Sequence, residues 1–451
     1  MKKKFVRLKK ELCKQAIDHA RIAPELYQRF NVKRGLRNDD GSGVLVGLTE
    51  VGAVLGYEYI DAELVPIPGR LLYRGYDVED LSHGAKQRSN RVGYEETAYL
   101  LLFGELPSPA QLKQFNELLV SNRELPTNFS RDVIMTFTPS DVMNSLARSV
   151  LALYTRDPDP DGLSADTLVR QSVELIAKFP PLIAYSYQAV MYKQENTSLV
   201  IHPPKAEYST AEDFLYMIRA DGEFSDLEAR VLDEILILHA EHGGGNNSTF
   251  TTHVVSSSGS DTYSAIAAAI GSLKGPLHGG ANIRVVEMMT YIKETVSDWT
   301  DEGQVSDCLD SILRKKTFDK AGKLYGFGHA VYTISDPRAI CLKETAKDLA
   351  DEKGLADEYA LYHLVERLAP GCFARVTGKP KMICANVDFY SGFVYECLGI
   401  PKEVFTPLFA MARVSGWLAH RIEEIYANPR IIRPAYKNVT RPRSYVDLEE
   451  R

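Results

Sequence analysis

The sequence predicts a mainly α-helical protein, all-α in class, with at most short strands near its N-terminus. Three observations carry this. Apolar residues recur at steps of three and four through most of the chain, and period-two alternation is rare. No repeat of roughly 20 to 50 residues and no low-complexity block is present, which sets aside solenoids and linkers. In chain order, the best strand candidate is the stretch near Tyr57 to Leu72, bounded by turns and carrying Pro66 and Pro68. Val142, Leu146, Val150 and Leu153 then share one helical face ahead of a turn-rich Asp157 to Gly162 loop. From Phe224 to His242, Leu227, Val231, Ile235 and Leu238 repeat that spacing behind a Ser225/Glu228 capping box, and His242 falls on the extension of the stripe. Val285 to Met289 reads as helix, Asp336-Pro337 as an N-cap followed by proline at the first helical position. The last helix runs from Met411 to Ala427 along Val414, Trp417, Leu418, Ile422 and Ile425, with Pro429 stopping it.

Composition bounds the rest. The chain has 451 residues, 53 Lys plus Arg against 60 Asp plus Glu, a formal charge of −7 and 45% hydrophobic residues. That excludes disordered, collagen-like and mucin-like classes, and the length suits two or three domains, or one large domain with a smaller one. A mildly acidic chain lacks the concentrated positive charge that nucleic acids or anionic membranes need, so small-molecule chemistry gains weight. Six of the ten residues from Met1 to Lys10 are basic, but Glu11, Lys14 and Asp18 follow where a secretory signal would place its apolar region. A mitochondrial presequence is disfavoured by the same acids, leaving a solvated helix end as the plain reading. There is no apolar stretch of about 18 residues to span a membrane. Cys13, Cys308, Cys341, Cys372, Cys384 and Cys397 are scattered without a CxxC pair, as expected for reduced thiols in a cytoplasm.

Four segments gather histidine or aspartate beside glycine, which lets backbone approach a ligand closely. In the first, His239-Ala-Glu-His242 precedes three glycines and Asn246. Two histidines three apart can share a helix face and a metal ion, although the HExxH spacing of zinc hydrolases is absent; the other reading is a helix end with His242 facing core or substrate. The second, Gly275 to Asn282, places His278 ahead of an apolar helix. There the helix dipole disfavours imidazolium and leaves a neutral ring able to polarise a carbonyl, against the alternative of a histidine merely packed at a turn. The third, Gly326-Phe327-Gly328-His329, lacks the last glycine of a dinucleotide loop and no clear strand precedes it. Shortly after it, Arg338 stands in a helix's first turn, where a cation opposes the dipole by about 0.3 to 1 kcal/mol and an anionic ligand would reverse the penalty. In the fourth, Asp388 lies among Val387, Phe389 and Tyr390. It reads either as a helix cap or as a partly desolvated carboxylate raised toward what a general base requires. Neutral imidazole plus carboxylate points to proton abstraction beside a carbonyl.

Taken together, GPLHGGAN at 275–282, GFGHAVYTISDPRA at 326–339, NVDFYSG at 386–392 and ARVSGWLAHRIEE at 412–424, with LLYRGYDVEDL at 71–81, resemble the citrate synthase family over roughly residues 35 to 436. The resemblance implies a citrate synthase-like two-domain helical fold. A large domain, 1–285 and 395–451, would carry dimerisation, and a small mobile domain, 286–394, would bring CoA and the catalytic aspartate. It implies an acyltransferase in which Asp388 removes a methyl proton of acetyl-CoA, His278 stabilises the enol or enolate oxygen, and His329 polarises the ketone of oxaloacetate. Oxaloacetate would be held by His242, Arg338 and Arg413, with Arg433 contributed across a homodimer; Arg441, in an Arg-Pro-Arg segment, competes for that last role. CoA, a co-substrate rather than a resident cofactor, would lie over Gly322, Lys323, Leu324, Tyr325, Gly326, Phe327 and Gly328. No metal is implied. The basic residue that follows the third motif in some relatives is replaced by Tyr332, Thr333 and Ile334, so the CoA phosphates have no assigned clamp. The same mechanism with propionyl-CoA would give 2-methylcitrate, and a catalytically silent binding paralogue is the reading from another class.

Overall fold

The computed structural model describes residues 2–39, 41–61, 63–88, 91–378, 382–427 and 430–451. Pro429, the expected stop of the last helix, lies outside them; the helix itself runs to Ala427. The chain divides into two compact units, Met1–Leu48 and Thr49–Arg451. The first contains the helices Lys2–His19 and Pro24–Arg29 and a short 3-10 turn, Arg34–Leu36. The basic start of the chain is therefore helical, and Phe5, Leu8 and Leu12 stand exposed on it.

The second unit carries fifteen α-helices among the described residues, and its one sheet is a three-stranded antiparallel meander, Gly52–Ile60, Glu63–Tyr73 and Tyr76–Asp77. The strands extend beyond the Tyr57 to Leu72 window on both sides. Their register runs from Gly52 opposite Tyr73 to Ile60 opposite Glu63, slipping at Gly56. Two glycines make this hairpin a seat for the third motif. A Cβ on Gly56 would stand 2.6 Å from the Val331 carbonyl oxygen, and one on Gly69 only 2.2 Å from that of Ser335. The Gly69 N–H donates to both the hydroxyl and the carbonyl of Ser335, each at 3.2 Å.

Capping chemistry sets the helix starts. Ser225 and Glu228 form the expected capping box ahead of Asp226–His239. Asp141 accepts the Asn144 N–H at 2.7 Å ahead of Val142–Leu153, and Asp336 caps Pro337–Lys353 with proline at its first position. The core is built around two long helices, Ala165–Gln194 and Lys402–Ala427, which pack together with Trp417 wholly buried. The last helix begins nine residues before the expected Met411, because Val404, Phe405 and Leu408 bury about two and a half further turns despite Pro407. No helix among the described residues is long and apolar enough to cross a membrane.

Candidate active site

His242 is placed by the end of a helix rather than by its face. The Asp226–His239 helix stops three residues before His242. The Tyr73 hydroxyl lies 3.0 Å from the Ile237 carbonyl and 3.1 Å from that of Glu241, and so ties the end of the helix and the chain beyond it to the hairpin. Gly243, at φ 78°, turns the chain, and its N–H donates to the Glu241 carboxylate. The two histidines consequently part company. His239 meets the Tyr395 hydroxyl at 3.0 Å and packs on Phe409, whereas His242 sits edge-on to His329, 5.0 Å between ring centres, and to Tyr332. This separates the pair that a shared metal would need. Burial, with the charge of Arg338 second, holds both imidazoles well below their usual range. The Nε2 of His242 is buried without a hydrogen-bond partner.

His278 lies in the turn that leads to the Ala281–Thr295 helix, two residues ahead of its Gly280 cap. It is pushed down to about 4, first by burial and then by Arg413, so the ring is neutral at physiological pH. The neutral state expected from the helix dipole thus comes from desolvation and a neighbouring cation. Its Nε2 lies 3.1 Å from the Ser248 hydroxyl, which also accepts the Trp417 indole N–H at 3.2 Å and reaches Asn246 Oδ1 at 2.9 Å. Ser248 has one proton to give. Sent to His278, it leaves the imidazole proton on Nδ1; sent to Asn246, it leaves that proton on Nε2.

The third and fourth motifs are tied by backbone. Asn386 N–H donates to the Gly326 carbonyl at 2.8 Å, Gly328 N–H to that of Cys384 at 2.9 Å, and the Asn386 side-chain amide to the Gly328 carbonyl at 2.9 Å. This short bridge delivers His329 and Asp388 to one place. It is a pairing of loops, not the phosphate cradle of a dinucleotide fold. His329 Nδ1 accepts the backbone N–H groups of Val331 and Tyr332 at 3.0 and 3.1 Å, which puts the neutral ring's proton on Nε2, and Tyr332 stacks on the ring at 4.5 Å. Within Gly322–Gly328, Leu324 is buried, Lys323 exposed, and the Tyr325 hydroxyl donates to Asp319.

Asp388 is the second residue of the Val387–Cys397 helix, whose cap is Asn386. Capping is therefore not its task. Burial raises it to about 6; Asp336 adds to the rise, and Arg338 and Arg413 oppose it. Arg338, also buried, is already forked to Asp336, at 3.0 Å from Nε and 2.8 Å from Nη2. The dipole penalty expected to be lifted by a ligand is thus lifted within the chain. Arg413 differs. It is completely buried in the Lys402–Ala427 helix, its Nε donates to the His239 carbonyl at 2.6 Å, and both terminal nitrogens lack partners. Burial pulls it down to about 10 although Glu241 supports its charge. Arg433 and Arg441 lie in the exposed, irregular stretch after the last helix.

Sequence reasoning passed over Ser248, Asp336 as the partner of Arg338, and the packing tyrosines Tyr73 and Tyr332. Ser248 is the second residue of the Asn247–Ser256 helix that Asn246 caps, so its place one turn beyond the glycines was the available signal; Tyr73 and Tyr332 are brought in by tertiary packing and carry none.

The chain is similar to known proteins over most of its length. Residues 41–435 match the family described as citrate synthase, C-terminal domain. Citrate synthase 2 of Bacillus subtilis (strain 168) is 36% identical over 392 residues, 85% of this chain and 94% of its own, and a 2-methylcitrate synthase of Shewanella oneidensis is 35% identical over 84% and 92%. Among solved structures, the citrate synthase of Thermoplasma acidophilum, in a ternary complex with carboxymethyl coenzyme A and oxaloacetate, superposes with a TM-score of 0.75 at 28% identity, covering 93% of this chain and 99% of that one. That of Pyrobaculum aerophilum gives 0.74 at 32% identity, over 91% and 94%. The fold and the comparisons together define an all-α enzyme of the acyltransferase class. The chain belongs to the citrate synthase family.

Proposed function

We propose that the chain condenses acetyl-CoA with oxaloacetate and water to citrate and CoA, through an enol or enolate and citryl-CoA. The observation that carries this is the state of Arg413: a wholly buried guanidinium with two unpartnered nitrogens, near His242, whose Nε2 is also unpartnered. Such donors are costly to bury unless a ligand accepts from them, and a carboxylate of oxaloacetate fits the planar fork. The Thermoplasma relative binds oxaloacetate and a CoA analogue in its solved complex, which supports the same pair here.

In this reading, Asp388, ionised above about pH 6, takes a methyl proton of the thioester. His278, with the Ser248 proton on its Nε2, offers Nδ1–H to the developing enolate oxygen. His329 donates from Nε2 to the ketone oxygen, since its Nδ1 is occupied by two backbone donors. Arg338 joins Arg413 in holding oxaloacetate if its fork to Asp336 is shared or released on binding. Arg433 reaches the site of the other subunit in a homodimer, Gly322 to Gly328 carry CoA, and 286–394 moves as the small domain against 1–285 and 395–451.

A second reading, 2-methylcitrate formation from propionyl-CoA, is favoured by relatives of that name at 35% identity. One methylene changes pocket preference by only about 1 to 3 kcal/mol. Steady-state rates with both thioesters decide. The proposal expects a higher kcat/KM with acetyl-CoA, and a tenfold or greater preference for propionyl-CoA overturns it.

A further inference from the structure

Behind Arg413 runs a row of four side chains that the reaction does not use. Glu424 Oε2 meets His253 Nδ1 at 2.7 Å, His253 Nε2 meets His420 Nδ1 at 3.1 Å, and His420 Nε2 meets Glu241 Oε1 at 2.9 Å. His420 and Glu241 are completely buried, Glu424 is nearly so, and His253 alone is partly open to solvent. Each of the three gaps needs one proton to be a hydrogen bond rather than two facing lone pairs. Two neutral imidazoles supply two. The row therefore holds one proton beyond neutral rings and ionised carboxylates.

We propose that His253 and His420 share this extra proton, and that it acts as a positioning charge for the oxaloacetate grip by offsetting Glu241 beside Arg413. This rests on the reading of Arg413 as the carboxylate anchor. Glu241 is built into its place: a Cβ on Gly416 would stand 2.5 Å from Glu241 Oε2, and one on Gly52 2.9 Å from Oε1. Burial pushes the Glu241 carboxyl up, but His420, Arg413 and the Gly243 N–H outweigh it and hold it ionised. Glu423, which takes the Glu50 N–H at 2.8 Å, and the Thr49 hydroxyl, 3.5 Å from His420 Nδ1, also face the row. Burial, then the charge of His420, holds His253 below the usual imidazole range. With the proton present the row carries a net −1; without it, −2 stands behind the cation that must receive a dianion.

The test joins two measurements. Nitrogen-15 NMR of the histidine rings in the ligand-free wild type at pH 6.5 should show three protonated nitrogens among the four of His253 and His420. Two bare nitrogens, one on each ring, would overturn the proposal. His253→Asn keeps a donor toward Glu424 and removes the nitrogen facing His420. Its Kd for oxaloacetate at pH 6.5 should rise roughly fivefold, as expected for one charge acting across the site, with kcat at saturation within about twofold. As pH rises and NMR reports loss of the wild-type proton, the wild-type Kd should climb to that of the variant, while the variant's stays level. Parallel Kd profiles contradict the proposal, because simple loosening of the fold would move both alike. A wild type that binds no oxaloacetate at any pH would instead remove the functional reading and leave the NMR count to stand or fall separately.

Discussion

Asp388 is asked to be ionised in a place that disfavours ionisation. Its carboxyl is raised from 3.8 to about 6, so the native state holds the proton more tightly than the unfolded chain does. Stability is therefore greatest below about pH 4 as far as this group is concerned, and falls as pH rises toward 6. Asp388→Asn removes that cost and the base together. Turnover should fall by roughly 10² to 10⁴, and the thermal midpoint at pH 8 should rise, read by calorimetry on both proteins. In the wild type, kcat/KM should drop below about pH 6 as the base is protonated. Arg338→Lys keeps charge but loses the fork to Asp336, so KM for oxaloacetate should rise more than kcat falls. Ser248→Ala withdraws the hydroxyl from His278 Nε2, and kcat should fall with oxaloacetate affinity held, measured by steady-state kinetics and direct titration.

At the scale of elements, the close approaches are the sensitive points. Gly416 lies on the last helix with the Ala240 carbonyl 2.4 Å and Glu241 Oε2 2.5 Å from where a Cβ would stand. Gly416→Ala should destabilise the chain by about 1 to 3 kcal/mol in denaturant unfolding, whereas Gly271→Ala, with open space around it, should not. Two of the helix starts were legible, since Ser225 and Asp336 announce them by local chemistry. The end at His239 was not legible, because it depends on Tyr73 arriving from a strand more than 160 residues earlier. The motifs His278, His329 and Asp388 were readable one by one from glycine and acid-base residues. What ties the segments of His329 and Asp388 was not: the loop bridge between 326–328 and 384–386 has no hydrophobic period to betray it. Nor does Asp336 signal its second task, since a cap residue and an arginine partner look alike in sequence.

For the whole molecule, the proposal gives the exposed segment after the last helix a part in the partner subunit's site. Arg433 lies exposed in that segment. Co-refolded mixtures of Arg433→Ala and Asp388→Asn chains should regain part of the wild-type activity, because a mixed dimer unites both defects in one site and leaves the other intact. Activity no greater than the sum of the separate variants would place Arg433 outside the neighbour's site. The most direct measurement is release of free CoA thiol from acetyl-CoA by the purified protein, with and without oxaloacetate, beside the Asp388→Asn variant. The account predicts release that requires oxaloacetate in the wild type and nearly vanishes in a variant that still binds oxaloacetate. It is contradicted by a folded wild type that binds oxaloacetate and releases no CoA, or by a variant that turns over as fast as its parent.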